Sequence, residues 1–181
     1  ADAVTQTQTI TVQINGDQLS EDYEDFWVIL DNIQADNSDV TFENDRHKVY
    51  IRNDDQVQLT IDDVTVNEGS GYATLTVSLD IPADDILNVD YTTIGGLIAS
   101  SPEDFEQTSG TLIFLPGETS KELYVNIIDN QVVGFDSLFY VELSNLQSGY
   151  IDAVIADDTA VVTIEDNDRE YRNLHYDFEY K

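Results

Sequence analysis

At 181 residues and 41% hydrophobic content, the chain is long enough to bury a substantial core. Its 37 acidic residues against 7 Lys and Arg give a formal net charge of −30, which argues against nucleic acid and anionic lipid as partners and leaves cations as the natural counterpart. The absence of Cys excludes disulfides and thiolate metal sites, and no apolar run reaches the ~18 residues of a membrane span, so no membrane insertion is expected.

Strand signals follow one another along the chain: ITVQI at 10–14, FWVIL at 26–30, VYI at 49–51, VQLTI at 57–61, YATLTVSL at 72–79 and NVDYTTI at 88–94. TLIFL at 111–115, ELYVNII at 122–128, LFYVEL at 138–143 and AVVTI at 160–164 continue the series. Each is short, rich in β-branched or aromatic residues, and bounded by Gly, Asn and Asp. No stretch carries a helical period. Such a series predicts an all-β fold, an antiparallel Greek-key β-sandwich of the immunoglobulin-like kind. No basic, apolar leader opens the chain, and the lack of Met even at position 1 is expected of a processed chain or a piece of a longer one.

Two of the strands, VYIRNDD at 49–55 and VTIEDND at 162–168, run straight into carboxylates, and they belong to an internal repeat. Ile14 matches Ile127, Phe26 matches Phe139, Leu30 matches Leu143 and Ile51 matches Ile164, always 113 positions apart. At that offset residues 10–55 contain 13 identities in 46 positions. The expected organisation is a back half of one sandwich at 1–55, a complete sandwich at 57–168, and a tail at 169–181.

Each connection in an antiparallel sandwich reverses the chain, so the ends of the strands can be sorted by counting. Taking 57–66 as upward, the upper end of the complete unit collects Glu68, Asp104, Asp129, Asp166 and Asp168. In the half unit Asp17, Glu21 and Glu24 follow one upward strand, and Asp54 and Asp55 follow another. Unit charges a few ångströms apart near a surface repel by about 1–4 kcal/mol per pair. A divalent cation converts that cost into binding energy. Calcium is the expected ion, because it takes about 6–8 oxygens in irregular loop geometry, whereas zinc wants His or Cys. The alternative is a calcium-free sandwich whose acids are simply solvated.

The stretches VNEGSGYATLTVSL (66–79), VDYTTIGG (89–96), SPEDF (101–105), GTLIFLPGETSKELYVNIID (110–129), SLFYVELSN (137–145) and VVTIEDND (161–168) resemble the Calx-β domain family. Residues 10–55 resemble the back half of a preceding copy, so the resemblance implies a tandem Calx-β arrangement. It places calcium ligands at Glu68, Asp104, Asp129 and the triplet Asp166, Asn167, Asp168. Asn130 stands where the family has an acid, and Gly134 and Ser137 stand where glutamates are frequent, which implies a reduced capacity for calcium. The half unit keeps Asp17, Glu21, Glu24, Asn53, Asp54 and Asp55 but lacks the ligands of the missing front half.

The function expected from these observations is a calcium-binding structural module of an extracellular or cell-surface protein, an adhesin or fibre, with calcium stiffening the junction at Asp55 and Gln56. A calcium-sensing regulatory segment of a transporter is the competing expectation. The tail alternates Leu174, Tyr176, Phe178 and Tyr180 with polar residues, so it reads either as a strand donated to the half unit of another copy, building a filament, or as the start of a further domain. Expected partners are therefore calcium ions and other copies or neighbouring domains. His47 and His175 lie apart from any Ser and Asp set, and no helix follows the Gly turns, so no enzyme is expected.

Overall fold

The computed structural model describes residues 7–34, 41–96 and 98–168. Eleven strands run through them: β1 Glu24–Ile29, β2 Arg46–Ile51, β3 Val57–Ile61, β4 Val64–Asn67, β5 Tyr72–Leu79 and β6 Leu87–Gly95, then β7 Ser109–Phe114, β8 Ser120–Asn126, β9 Ser137–Gln147, β10 Ala153–Ile155 and β11 Thr159–Glu165. Strands β3 to β11 form two sheets, one ordered β10-β3-β5-β8 and the other β4-β11-β9-β6-β7. The expected all-β sandwich is therefore present, with its tail segment outside the described residues.

Alternation along the strands builds the core. Ala73, Leu75, Val77 and Leu79 of β5 face Phe139, Val141 and Leu143 of β9 and Ala160, Val162 and Ile164 of β11, all buried, while the residues between them are more exposed. Phe105 stacks on Phe139 with ring centroids 4.2 Å apart and planes 13° from parallel. Among the described residues every buried apolar side chain lies between Val57 and Ile164, so the sandwich at 57–168 closes on its own core.

Two expectations need correction. The stretch 57–66 is not one strand: it breaks at Asp62 and Asp63, so that β3 lies in one sheet and β4 in the other. Asp63 holds the crossing, its Oδ1 accepting from the Val161 N–H at 2.7 Å. The crossing also introduces two parallel pairs, β3 with β10 and β4 with β11, into an otherwise antiparallel arrangement. At four and three residues, β4 and β10 are too short to show a pattern in the sequence.

The second correction concerns 10–14, which forms no strand. At the repeat offset this stretch matches the end of β8 and the residue after it, and β8 pairs with β5. Among the described residues no strand stands in for β5 beside 10–14, so its backbone groups have no ladder to join there. Ile10, Val12 and Ile14 are 62%, 49% and 48% exposed, where Leu123, Val125 and Ile127 are 3%, 0% and 4% exposed. What remains of the half unit is the antiparallel pair β1 and β2, with Glu24 opposite Ile51 and Ile29 opposite Arg46. Lys48 lies over the Trp27 and Tyr50 rings on one face of this ribbon and pairs with Asp25.

One residue fastens the ribbon to the sandwich. Ser20 is fully buried: its N–H donates to the Pro82 carbonyl at 3.3 Å, and its carbonyl accepts from the Asp84 N–H at 3.2 Å. Its hydroxyl donates to the Asp55 carbonyl at 3.1 Å, and Asn53 donates to the same carbonyl at 2.9 Å. The contact lies at the lower pole of the sandwich, opposite the acidic exits.

Candidate metal centre

The parallel pairing of β4 with β11 sets Val66 beside Ile164 and Asn67 beside Glu165, so both strands leave the sheet side by side. Glu68 follows one exit and Asp166, Asn167 and Asp168 follow the other. After β4 the chain tightens into a single 3-10 turn, Glu68–Ser70, with the Asn67 side chain accepting from the Gly69 N–H at 3.0 Å. A Cβ on Gly69 would lie 2.9 Å from Asn167 Nδ2, so a side chain here would push the Asn167 amide aside.

Asp104 and Asp129 arrive by a different route. Phe105 pairs with Ile127 across an isolated bridge, and the Ile128 N–H donates to the Asp104 carbonyl at 2.9 Å. Burial of the Phe105 ring against Phe139 thus anchors the acid before it at the upper pole.

Carboxylate oxygens of Glu68, Asp166 and Asp168 lie within 4.8 Å of one another, and among the described residues no other group of acids or histidines does so. Glu68 is only 5% exposed. Its Oε1 accepts from the Asn130 N–H at 3.1 Å and from the Asn130 side-chain amide. Asp166 accepts from the Gly134 N–H at 2.9 Å and the Asp168 N–H at 3.3 Å. Asp168 Oδ2 is buried without a hydrogen-bond partner. No Lys or Arg among the described residues pairs with any of the three. A buried, unpartnered anionic oxygen beside two further carboxylates is a costly arrangement unless a cation completes it. The donor set fits a hard ion such as calcium, being oxygen alone.

Of the expected ligands, Glu68, Asp166 and Asp168 are therefore brought together. Asp129 stands beside them, its Oδ1 accepting from Asn167 Nδ2 at 3.3 Å. Asp104 lines the same cleft, but its Oδ2 accepts from the Ser100 N–H at 2.8 Å. Asn167 contributes an amide donor to Asn67 at 3.1 Å, and so braces the two exits. Sequence reasoning missed Asp136, whose Oδ1 accepts from the Asp166 N–H at 3.1 Å and so holds the triplet in place. Its position immediately before β9, among the loop acids, was the available signal. The Asn130 replacement was visible, but not that its amide would turn toward Glu68 and occupy one of that carboxylate's oxygens.

In the half unit Asp17, Glu21, Glu24, Asp54 and Asp55 line one cavity together with Asn53. No three of their oxygens converge as those of Glu68, Asp166 and Asp168 do. At the repeat offset the counterparts of Glu68 and Asp104 fall outside residues 1–181.

Burial, then the negative charges of Asp168, Asp166 and Asp129, push the Glu68 carboxyl above its usual range, against the opposing hydrogen bond from the Asn130 backbone. Burial followed by Asp166 and Asp129 raises Asp168 in the same way. A carboxyl whose folded pKa exceeds its unfolded value binds protons more readily in the folded state. Its penalty is fully present above the folded pKa and is relieved as pH falls toward the unfolded value of about 4. In chelator the melting temperature is therefore expected to rise as pH falls from neutral toward the unfolded carboxyl value of about 4, and calcium is expected to remove that rise. Thermal scans across this range check it.

The chain matches the Calx-beta domain family over residues 2–55 and 52–168. It belongs to that family. Among curated relatives, sodium/calcium exchanger 2 of Rattus norvegicus is 48% identical over 61 residues, covering 34% of this chain and 6% of the exchanger. Sodium/calcium exchanger 1 of the same species is 39% identical over 95 residues, covering 44% of this chain and 10% of the exchanger. The chain thus spans a tenth or less of the curated relatives it matches. Among solved structures, the apo form of the Calx CBD1 domain aligns with TM-score 0.55 and 28% identity, covering 62% of this chain and 98% of that one. The calcium binding domain CBD12 of CALX1.1 aligns with TM-score 0.56 and 28% identity, covering 61% of this chain and 46% of that one.

For this Calx-beta chain the relatives do not support the extracellular adhesin or fibre, nor the filament. They favour the competing expectation of a transporter segment. Among the described residues no helix is long and apolar enough to cross a membrane.

Proposed function

We propose that this chain is a non-catalytic, calcium-binding Calx-beta segment of the sodium/calcium exchanger type, in which ion occupancy at the upper pole reports calcium to the domains joined to it. The observation that carries the reading is the buried, unpartnered Asp168 Oδ2 set beside Glu68 and Asp166. Asp166 and Asp168 supply the outer carboxylates, Glu68 the buried one, and Asp129 beside Asn167 and Asp104 in the cleft lining stand at the same pole to extend the set. Asn130 takes the place of an acid and engages Glu68, which supports a site of lower capacity.

An ion held by these residues ties the exits of β4 and β11 to each other and to the loop after β8. It fixes the direction in which the chain leaves the sandwich. One repeat earlier Asp54 and Asp55 lead through Gln56 directly into β3, so the acids there adjoin the entry to the complete sandwich.

Isothermal titration with calcium tests the proposal. Heat of binding is expected for the whole chain, lost on Asp168→Ala and weakened on Asp104→Ala. No heat, or heat unchanged by Asp168→Ala, would overturn it. Magnesium is expected to bind more weakly, because it demands near-octahedral geometry.

A further inference from the structure

We propose that Asn15 and Gly16 form a self-modification site, at which the asparagine converts to isoaspartate and aspartate and adds a carboxylate to the acidic cavity of the half unit. Of the asparagines in the chain only Asn15 precedes a glycine. Both residues are exposed and lie outside any strand. Among the described residues Asn15 makes no side-chain hydrogen bond, whereas Asn53, Asn126, Asn130, Asn145 and Asn167 each donate to a partner.

The reaction needs the Gly16 nitrogen to reach the Asn15 side-chain carbonyl carbon, Cγ. A side chain on the following residue crowds that approach, and glycine has none. A Cβ at Gly16 would meet nothing within 4 Å, so no neighbour presses on the peptide. The stretch 10–14 joins no strand ladder, which leaves the backbone before the pair free to turn. As the bond from the Gly16 nitrogen to Cγ forms, the bond from Cγ to the side-chain nitrogen breaks, and that nitrogen leaves as ammonia with the backbone N–H proton. Water then opens the succinimide ring. Cleavage at Cγ restores the ordinary main chain with an aspartate, and cleavage at the main-chain carbonyl leaves the chain running through Cγ as isoaspartate. No oxidant, metal or enzyme takes part, so the proposal stands or falls apart from the calcium reading.

The repeat shows what the new group changes. At the 113-residue offset Gly16 is the counterpart of Asp129, which accepts from Asn167 in the complete sandwich. The half unit thus lacks an acid where the complete unit has one, and holds a convertible amide at the residue before. Asn15 lines the cavity shared by Asp17, Glu21, Glu24, Asp54 and Asp55, so each conversion adds a negative charge to that wall. Isoaspartate also lengthens the main chain just before the turn in which Asp17 Oδ1 accepts from the Leu19 N–H at 2.9 Å. The charge of this cavity therefore rises with the age of the molecule. The site in the complete sandwich is protected, because Asn130 and Asn167 are hydrogen-bonded and followed by Gln131 and Asp168.

The test ages the whole chain for days at physiological temperature and mildly alkaline pH, then maps its proteolytic peptides by mass spectrometry. The peptide with Asn15 and Gly16 is expected to gain the mass of an amide turned acid, to separate into two products, and to accept a methyl group from an isoaspartyl methyltransferase. Anion exchange is expected to resolve intact protein with one further negative charge. Gly16→Ala is expected to slow the conversion severalfold and Asn15→Gln to abolish it. Gly16 has no positive φ, so alanine fits its backbone, and circular dichroism checks the folding of both variants. No conversion in the folded chain, conversion at Asn15 no faster than at Asn53 or Asn167, or a rate unchanged by Gly16→Ala would overturn the proposal.

Discussion

Calcium at about 100 times its Kd is expected to stabilise the sandwich by about 2.7 kcal/mol and to raise its Tm by on the order of 10 °C, and Asp168→Ala is expected to abolish the rise. The same substitution is expected to raise the Tm measured in chelator. Without an ion, Asp168 is a carboxylate with a buried, unpartnered oxygen, facing Asp166 and Asp129, and its pKa is raised accordingly. Removing it relieves repulsion and desolvation together. A stabilising structural acid would behave in the opposite way, losing stability on truncation whether or not calcium is present. Scanning calorimetry of the parent and the variant in chelator and in calcium separates the two accounts. Identical melting of the parent in both solutions would remove the case for an ion.

The strands were legible where one face is buried. YATLTVSL at 72–79 coincides with β5, because strict alternation of Ala73, Leu75, Val77 and Leu79 with polar residues reports a single buried face. Counting chain reversals then brought Glu68, Asp166 and Asp168 to one pole, since direction depends on topology and not on side-chain detail. Three things were not legible. The break at Asp62 and Asp63 is a tertiary event, in which both flanking strands keep their apolar pattern while changing sheets. The stretch 10–14 carries a good strand pattern but lacks the partner that would turn the pattern into a ladder. Hydrogen-bond direction was also hidden: Asn130 and Asn167 present amide donors to Glu68, Asn67 and Asp129, and Asp104 bonds the Ser100 N–H. A residue type states that an oxygen is present, not where it points.

The repeat supplies its own control for the last expectation. Phe139→Ala is expected to cost about 3–5 kcal/mol, because the ring is fully buried, stacks on Phe105 and leaves a cavity that the two sheets cannot close. Its counterpart Phe26→Ala is expected to cost less than ~1 kcal/mol, since Phe26 is half-buried on a two-stranded ribbon with no second sheet above it among the described residues. Urea unfolding followed by fluorescence and circular dichroism gives both values. The same residue type at the same place in the repeat thus measures what a facing sheet contributes. A cost at Phe26 equal to that at Phe139 would mean that the ribbon is covered in solution. The apolar face of Phe26, Val28, Val49 and Ile51 would then be enclosed as Phe139, Val141, Val162 and Ile164 are in the complete sandwich.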